Sequence, residues 1–415
     1  MATLHSLKQN YLEMCKDVTQ LPNPYIVHVL QEVYQQPVEN HSDGIMLKLA
    51  GNNHLTPVQK ITDDDVMVLA KILYNNTFVT GLDLRYNSLT DTGAEHIGIL
   101  LRETPSLRHL NLMCNDIATK GAEFLTKALL DNETLKQLRI NGNKIGNKGG
   151  MHFASMLQIN ATLEELDLGD TDLGTQSLIA LATVLTHNST IKSINLSRPL
   201  LYDLQEETTV HMTKMLKVNP SLKELHLGKH EMTDFGVERL CETLLVNSSL
   251  RYLDLQCNKI TRDGAKHLAE LLKKNTAIEI LDLASNRIED DGAVYLSEAI
   301  ALHNNRLKGL AVVSNNIGAK GLVALAEAMK TNTTLSYIYI WGNKLTDAPC
   351  KAFADLLASG RLEENHTDVR PYVVDDHFYV AELFHGLRRN YYWTPSFGKD
   401  GDFICNSSLA VMGTS

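Results

Sequence analysis

The sequence predicts an α/β solenoid, a stack of strand-turn-helix units with parallel strands on one face and helices on the other. A phrase typified by Leu250-Arg-Tyr-Leu253-Asp-Leu255-Gln-Cys-Asn258-Lys-Ile260 recurs with its first apolar position at Val79, Leu107, Leu135, Leu163, Ile191, Leu222, Leu250, Ile278, Leu307 and Leu335. Subtracting successive positions gives 28 residues throughout, except for one gap of 31 and one of 29. Within each unit the apolar period changes from two to helical after a glycine, as where Gly264 precedes Ala265, Leu268, Ala269, Leu271 and Leu272. One such unit cannot bury its own apolar faces, so the units must stack.

The elements follow in chain order. Residues 1–44 lie outside the repeat and read as a helical cap. Leu7, Tyr11, Leu12, Met14 and Cys15 fit one amphipathic helix, Pro22 and Pro24 interrupt it, and Ile26, Val29, Leu30 and Val33 fit a second that stops before Pro37. A degenerate unit comes next, with Leu47, Leu49 and Asn52 in strand register and a helix around Val66 to Leu73; counting it makes eleven units over 45–360. In the regular units, pairs such as Leu82 and Leu84, or Leu253 and Leu255, alternate inward at the strand period. The asparagines that follow, Asn87, Asn115, Asn143, Asn258, Asn286, Asn315 and Asn343, carry an amide able to bond the turn and the next coil. An unbonded polar group there would cost about 1–3 kcal/mol.

The array falters between 191 and 221. Thr171 already replaces the asparagine and Ser177 the glycine in the preceding unit, and Pro199 has no N–H with which to copy a neighbouring turn. Two readings stand, a tolerated insertion or a bulge presenting Leu200, Leu201 and Tyr202 to a partner. Residues 361–415 are expected to form a C-terminal cap or tail with one helix, Asp376 to Arg389, followed by Tyr391-Tyr392-Trp393. That aromatic density is too high for a solvated linker, so the tail either packs on the last repeat or is a docking peptide.

Composition limits the partners. Lys plus Arg is 39 against 49 Asp plus Glu, a net charge of −10, which disfavours nucleic acid as a direct partner. No apolar run is long enough to cross a bilayer and the first residues do not read as a secretory signal, so the expectation is an intracellular chain without membrane contact. The six cysteines lack CxxC spacing and are read as reduced. Asn-x-Ser/Thr sequons at Asn132, Asn160, Asn188, Asn247 and Asn332 recur at one place in the repeat, which makes them turn chemistry after the helix.

Catalytic signatures are missing. There is no Walker loop, no HExxH, no GxSxG and no zinc-spaced Cys/His set, so neither an enzyme, a cofactor, a metal nor a small-molecule substrate is expected. The outer strand face remains. Its central column reads Asp83, Asn111, Arg139, Asp167, Asn195, His226, Asp254, Asp282, Ala311, Tyr339, polar first and apolar last. The candidate partner-binding residues are therefore Ile280, Val313, Tyr337, Tyr339 and Trp341 at the apolar end, with Asp167, Asp254 and Asp282 as the acidic members. Either a protein ligand or the chain's own Tyr391-Tyr392-Trp393 could cover the aromatic end. Cys114 and Cys257 lie on the same face and are read as structural filler.

The repeated LxxLxLxxNxI phrase resembles the ribonuclease-inhibitor-like class of leucine-rich repeats. That resemblance implies a horseshoe with the sheet on its concave side and binding of one or more proteins by a chain that is monomeric on its own. Ran GTPase activators of the class would bring an acidic C-terminal run, which this tail lacks. The stretch from Tyr11-Leu-Glu-Met-Cys15 to Leu21-Pro-Asn-Pro-Tyr25, with the tail from Phe378 to Trp393, is more similar to stand-alone intracellular members. This implies a non-enzymatic adaptor of germ or stem cells, in cytoplasm and nucleus with the nucleolus included. Relatives with the same N-terminal helix are fixed parts of motile cilia, which implies an axonemal component as the alternative and an enzyme regulator as a third reading.

Overall fold

The computed structural model describes residues 4–35, 44–53, 57–202 and 206–383. The described chain divides into two compact units, the first running to Leu200 and the second starting at Leu201, beside the irregularity that Pro199 marks. The first unit opens with helices α1 (Leu4–Asp17) and α2 (Pro24–Gln35). Six strands follow, β1 (Ile45–Lys48), β2 (Val79–Asp83), β3 (His109–Asn111), β4 (Gln137–Arg139), β5 (Glu165–Asp167) and β6 (Ser193–Asn195), paired in parallel in that order. Between them run α3 (Asp63–Leu73), α4 (Asp91–Glu103), α5 (Thr119–Leu129), α6 (Gly146–Leu157) and α7 (Thr175–Leu185). The two leading helices pack on α3 and β1. Tyr11 and Tyr25 are buried there, the Tyr11 hydroxyl accepts the Asn23 N–H at 3.1 Å, and Asn23 Nδ2 donates to Asp65 Oδ2 at 3.1 Å.

The second unit begins with α8 (Glu207–Val218) and holds five parallel strands, β7 (Glu224–His226), β8 (Tyr252–Asp254), β9 (Ile280–Asp282), β10 (Gly309–Ala311) and β11 (Tyr337–Tyr339). Their helices are α9 (Asp234–Leu244), α10 (Arg262–Leu272), α11 (Glu289–Leu302), α12 (Ala319–Thr331) and α13 (Asp347–Ala358). In both units the strand leucines face the helices and are buried, Leu82, Leu84, Leu253 and Leu255 among them. Burying each such side chain contributes about 1.5–3 kcal/mol, the main force that stacks the repeats.

Three polar ladders fix the register. The turn asparagines act as expected: Asn258 Nδ2 donates to Leu227 O at 3.0 Å and Leu255 O at 2.9 Å, while its Oδ1 accepts the N–H of His230 at 2.9 Å and of Met232 at 3.0 Å. The side chain of Thr171, the substitute, keeps the bond from its hydroxyl to Leu168 O, 2.6 Å, and among the described residues makes none to the neighbouring coils. The sequon asparagines form a second ladder after the helices. Asn132 Nδ2 donates to Leu101 O at 2.6 Å while Oδ1 accepts from Leu135 N at 2.8 Å, and Asn160 repeats this on Leu129 O and Leu163 N at 2.7 and 2.8 Å.

The third ladder ties several helix starts to the preceding repeat. Asp91, at the start of α4, accepts the N–H of Ala118 at 2.7 Å and of Gly121 at 2.8 Å, the first turn of α5. Asp234 does the same for Thr261 and Gly264 at 2.8 and 2.9 Å, and Asp290 for Gly318 and Gly321 at 3.0 and 2.6 Å. Carboxylates satisfy orphan amides at a helix N-terminus and oppose its dipole. The repeat glycine follows from this: a Cβ on Gly264 would sit 2.5 Å from Asp234 Oδ1.

The C-terminal segment corrects one expectation. In place of a helix from Asp376, an antiparallel hairpin forms from β12 (Val369–Val374) and β13 (His377–Glu382), and residues from 384 onward, including Tyr391, Tyr392 and Trp393, lie outside the described residues. Asp375 and Asp376 adopt φ of +48° and +61°, the backbone of a two-residue hairpin turn. Phe378, Val380 and Ala381, apolar residues that the expected helix would have used, instead lie on the strand β13. The hairpin packs on α13, so residues 361–383 do cover the last repeat. Arg361 stands where another ladder asparagine would, donating to Met329 O at 2.6 Å, Leu335 O at 2.7 Å and Asn332 O. Asp368 closes the sheet by accepting Ile340 N at 2.9 Å and Trp341 N at 3.0 Å. Burial raises its pKa to about 6 against those two amides.

Candidate protein-binding face

The outer strand face is built by residues whose neighbours on the same strand point to the helices, so strand pairing alone places them side by side. In the first unit the column is polar. Asp167 Oδ1 accepts the N–H of Gly169 at 2.9 Å and Asn195 Nδ2 at 2.8 Å, and Gln137 Nε2 donates to Glu165 Oε2 at 2.5 Å. The same local bond recurs along the column, with Asp83 accepting from Arg85 N, Asn111 from Met113 N, Asp254 from Gln256 N and Asp282 from Ala284 N. The Asx residues between the strand leucines therefore tie down the backbone that leaves each strand. Sequence reading missed this second task, although the recurrence of Asp or Asn at one register was its signal.

In the second unit Ile280, Tyr337 and Tyr339 come together with Tyr252 and Ala311 in one buried cluster, against which Val313 packs. Trp341 and Val313 are half-buried. Of the sequence candidates, Asp254, Asp282, Ile280, Val313, Tyr337, Tyr339 and Trp341 thus lie on this face of the second unit, whereas Asp167 belongs to the first unit. The Tyr337 and His366 rings stack with centroids 3.8 Å apart. Tyr252 was not among the sequence candidates, yet register places it directly beside Ile280.

Beside the aromatics lies a buried charged group. His226 is 1% exposed, with Nε2 2.6 Å from Glu224 Oε1 and Nδ1 3.0 Å from Asp254 Oδ2, and its ring meets Tyr252 edge-on at 4.9 Å. Burial alone would lower the imidazole's pKa, but the bonds from Asp254 and Glu224 outweigh it and raise it to about 10. Burial also pushes up the thiol of Cys114, which suits filler better than redox chemistry. Among the described residues no group of three His, Cys, Asp or Glu could hold a metal ion.

Strand, ladder asparagine and helix in this register define a leucine-rich repeat protein, and the family model for the leucine-rich repeat matches residues 75–98, 104–125, 131–154, 160–182, 218–241, 246–269, 274–297 and 303–326. The chain is 59% identical to human leucine-rich repeat-containing protein 34, covering 98% of this chain and 88% of that protein, and 51% identical to the mouse protein of that name, covering 95% of each. It belongs to the leucine-rich repeat-containing protein 34 family. Among solved structures, the yeast Rad7 and Elc1 complex aligns at 15% identity over 85% of each chain with a TM-score of 0.45.

Proposed function

We propose that this protein is a non-enzymatic, intracellular protein-binding adaptor, monomeric on its own, that reads its partner with the outer strand face from β7 to β11. The observation that carries the reading is the half-buried pair Trp341 and Val313 at the edge of the buried Tyr252, Tyr337 and Tyr339 cluster, because Trp is enriched among the residues that dominate protein interfaces. The free thiols of Cys15, Cys114, Cys241, Cys257 and Cys350 support a reducing compartment, in keeping with a cytoplasmic and nuclear site of action. The test is cross-linking in native tissue followed by mapping. Partner cross-links should fall on residues 280–341 and disappear in Trp341→Ala with Val313→Ala, while the circular dichroism of the variant is unchanged. Capture that survives the double substitution sinks the reading.

A second reading, a fixed component of a large assembly such as a cilium, draws on the hairpin. Tyr372, Val373, Val374 and Tyr379 are 44–55% exposed, and the Tyr372 and Tyr379 rings stack at 5.6 Å. Release of the protein from ciliated cells by mild detergent would dispose of it.

A further inference from the structure

The edge of the second unit where helices end and strands begin carries a charge that its repeats do not require. Windows of seven residues, from five before each first apolar strand position to one after it, cover 217–223, 245–251, 273–279, 302–308 and 330–336 in this unit. They hold eight Lys or Arg and one acid, Glu279, whereas the corresponding windows of the first unit, 74–80, 102–108, 130–136, 158–164 and 186–192, hold four of each. Repeat and register are the same in both, so the excess is not a demand of the fold. Backbone bonds set the charges in rows. Arg251 N donates to Lys223 O at 2.7 Å, Glu279 N to Arg251 O at 2.8 Å and Lys308 N to Glu279 O at 2.7 Å along the strand starts. A second row follows the helix ends, where Asn247 Nδ2 donates to Asn219 O at 3.3 Å and Asn275 Nδ2 to His303 O at 2.8 Å. Arg251 and Lys308 share Glu279, at 2.7 and 3.2 Å, while Lys273 and Lys330 pair with Glu270 and Glu327 on their own helices. The other four, Lys217, Lys223, Lys274 and Arg306, are exposed and form no ion pair among the described residues, Lys274 acting on Glu270 only from farther away. A cation at a helix C-terminus offsets the dipole, which accounts for Lys217 and Lys274 but not for Lys223 and Arg306 beside the strands. Among these cations stand Val218, Leu245, Val246 and Leu302, 53–70% exposed.

We infer that this edge docks an acidic segment of a partner protein, one in which aspartate or glutamate is interspersed with apolar residues. It is a second surface, apart from the outer strand face. Carboxylates of the segment would answer the four unpaired cations, and its apolar side chains would cover the exposed valines and leucines. The row from Lys223 to Lys308 spans three strand spacings, about 14 Å, which about ten residues of helix cover. A membrane surface or a nucleic acid fits less well, because the five windows of this unit contain no Phe, Tyr or Trp to insert among lipid headgroups or to stack on bases.

The test uses the full chain and a fluorescein-labelled peptide of glutamate and aspartate interspersed with leucine, read by fluorescence anisotropy. Replacing the peptide's acids with glutamine and asparagine should weaken binding by about tenfold or more, and so should Lys223→Glu with Arg306→Glu in the protein. Val246→Ser with Leu302→Ser should weaken it severalfold, whereas Arg108→Glu, on the corresponding edge of the first unit, should leave it unchanged. If the charge reversal lowers the melting temperature, Lys223→Gln with Arg306→Gln should show a smaller loss in the same direction, and binding to the wild-type chain should fall as salt is raised. Equal affinity for the acidic and amide peptides overturns the inference, as does a charge-reversed chain that is fully folded and binds as tightly as wild type. Phosphatidylserine vesicles or single-stranded RNA bound more tightly than the peptide also overturn it and give the edge to a membrane or a nucleic acid. Self-association in sedimentation velocity that the charge reversal abolishes overturns it in favour of a second copy of the chain. Each of these results leaves the Trp341 and Val313 cross-linking test standing, so the two readings fail separately.

Discussion

Replacing Asn258 by alanine should destabilise the second unit by several kcal/mol. The side chain is 9% exposed and serves backbone groups of two repeats. Its loss removes the acceptor for the N–H of His230 and Met232 and the donor to Leu227 O, whereas Leu255 O keeps a bond from Asn286 Nδ2 at 3.0 Å. Three groups are orphaned. At about 1–3 kcal/mol each, the loss is about 3–9 kcal/mol, and water entering the vacated space brings it toward the lower end. Asn258→Asp keeps the two acceptor bonds but turns a carboxylate toward the Leu227 and Leu255 carbonyls, so it should not rescue. Urea unfolding gives the size of the effect, and hydrogen exchange of β7 to β9 shows its location, since each repeat contacts only its neighbours. A loss below about 1 kcal/mol, or one spread evenly over both units, would refute the ladder argument.

Two further outcomes follow from the same structure. Gly264→Ala, ordinarily favourable within a helix, should instead cost about 1–3 kcal/mol, because the new methyl would meet Asp234 Oδ1 at 2.5 Å and Ile260 Cγ2 at 2.7 Å; a thermal melt equal to or above wild type contradicts this. His226 has a folded pKa of about 10, above its ordinary 6.5, so its stabilisation is complete below pH 6.5 and is lost as pH rises through 10. The melting temperature should therefore fall more steeply from pH 7 to 10 in wild type than in His226→Gln, and parallel slopes would remove the buried imidazolium from the account.

What was legible in the sequence was what repeats. The strand leucines, the turn asparagines and the sequon asparagines each serve one local purpose at one register, so periodicity alone located them. The hairpin was not legible, because its Phe378, Tyr379 and Val380 also supply the apolar content that a helix would need, and the deciding feature is the left-handed backbone of Asp375 and Asp376. The face was legible as a set of columns but not in its energetics. Asp167, Asp254 and Asp282 looked like surface charges, yet each is buried and bonded to the backbone two residues on. His226 and Asp254 already stood side by side in the column, but that the imidazole bonds both Asp254 and Glu224 of its own strand, buried, needed the side-chain geometry.

The carboxylate links between helix starts have a direction. Each is supplied by the earlier repeat and consumed by the later one: Asp91 serves α5, Asp234 serves α10, Asp290 serves α12, and Asp347 accepts Phe378 N of the hairpin at 2.7 Å. Repeats removed from the C-terminal side leave behind a carboxylate that water can solvate. Repeats removed from the N-terminal side leave a helix whose first amides turn to water and whose dipole no longer faces a carboxylate. Within each unit the two ends are therefore unequal as places to cut, and a shortened array is best built by keeping its beginning.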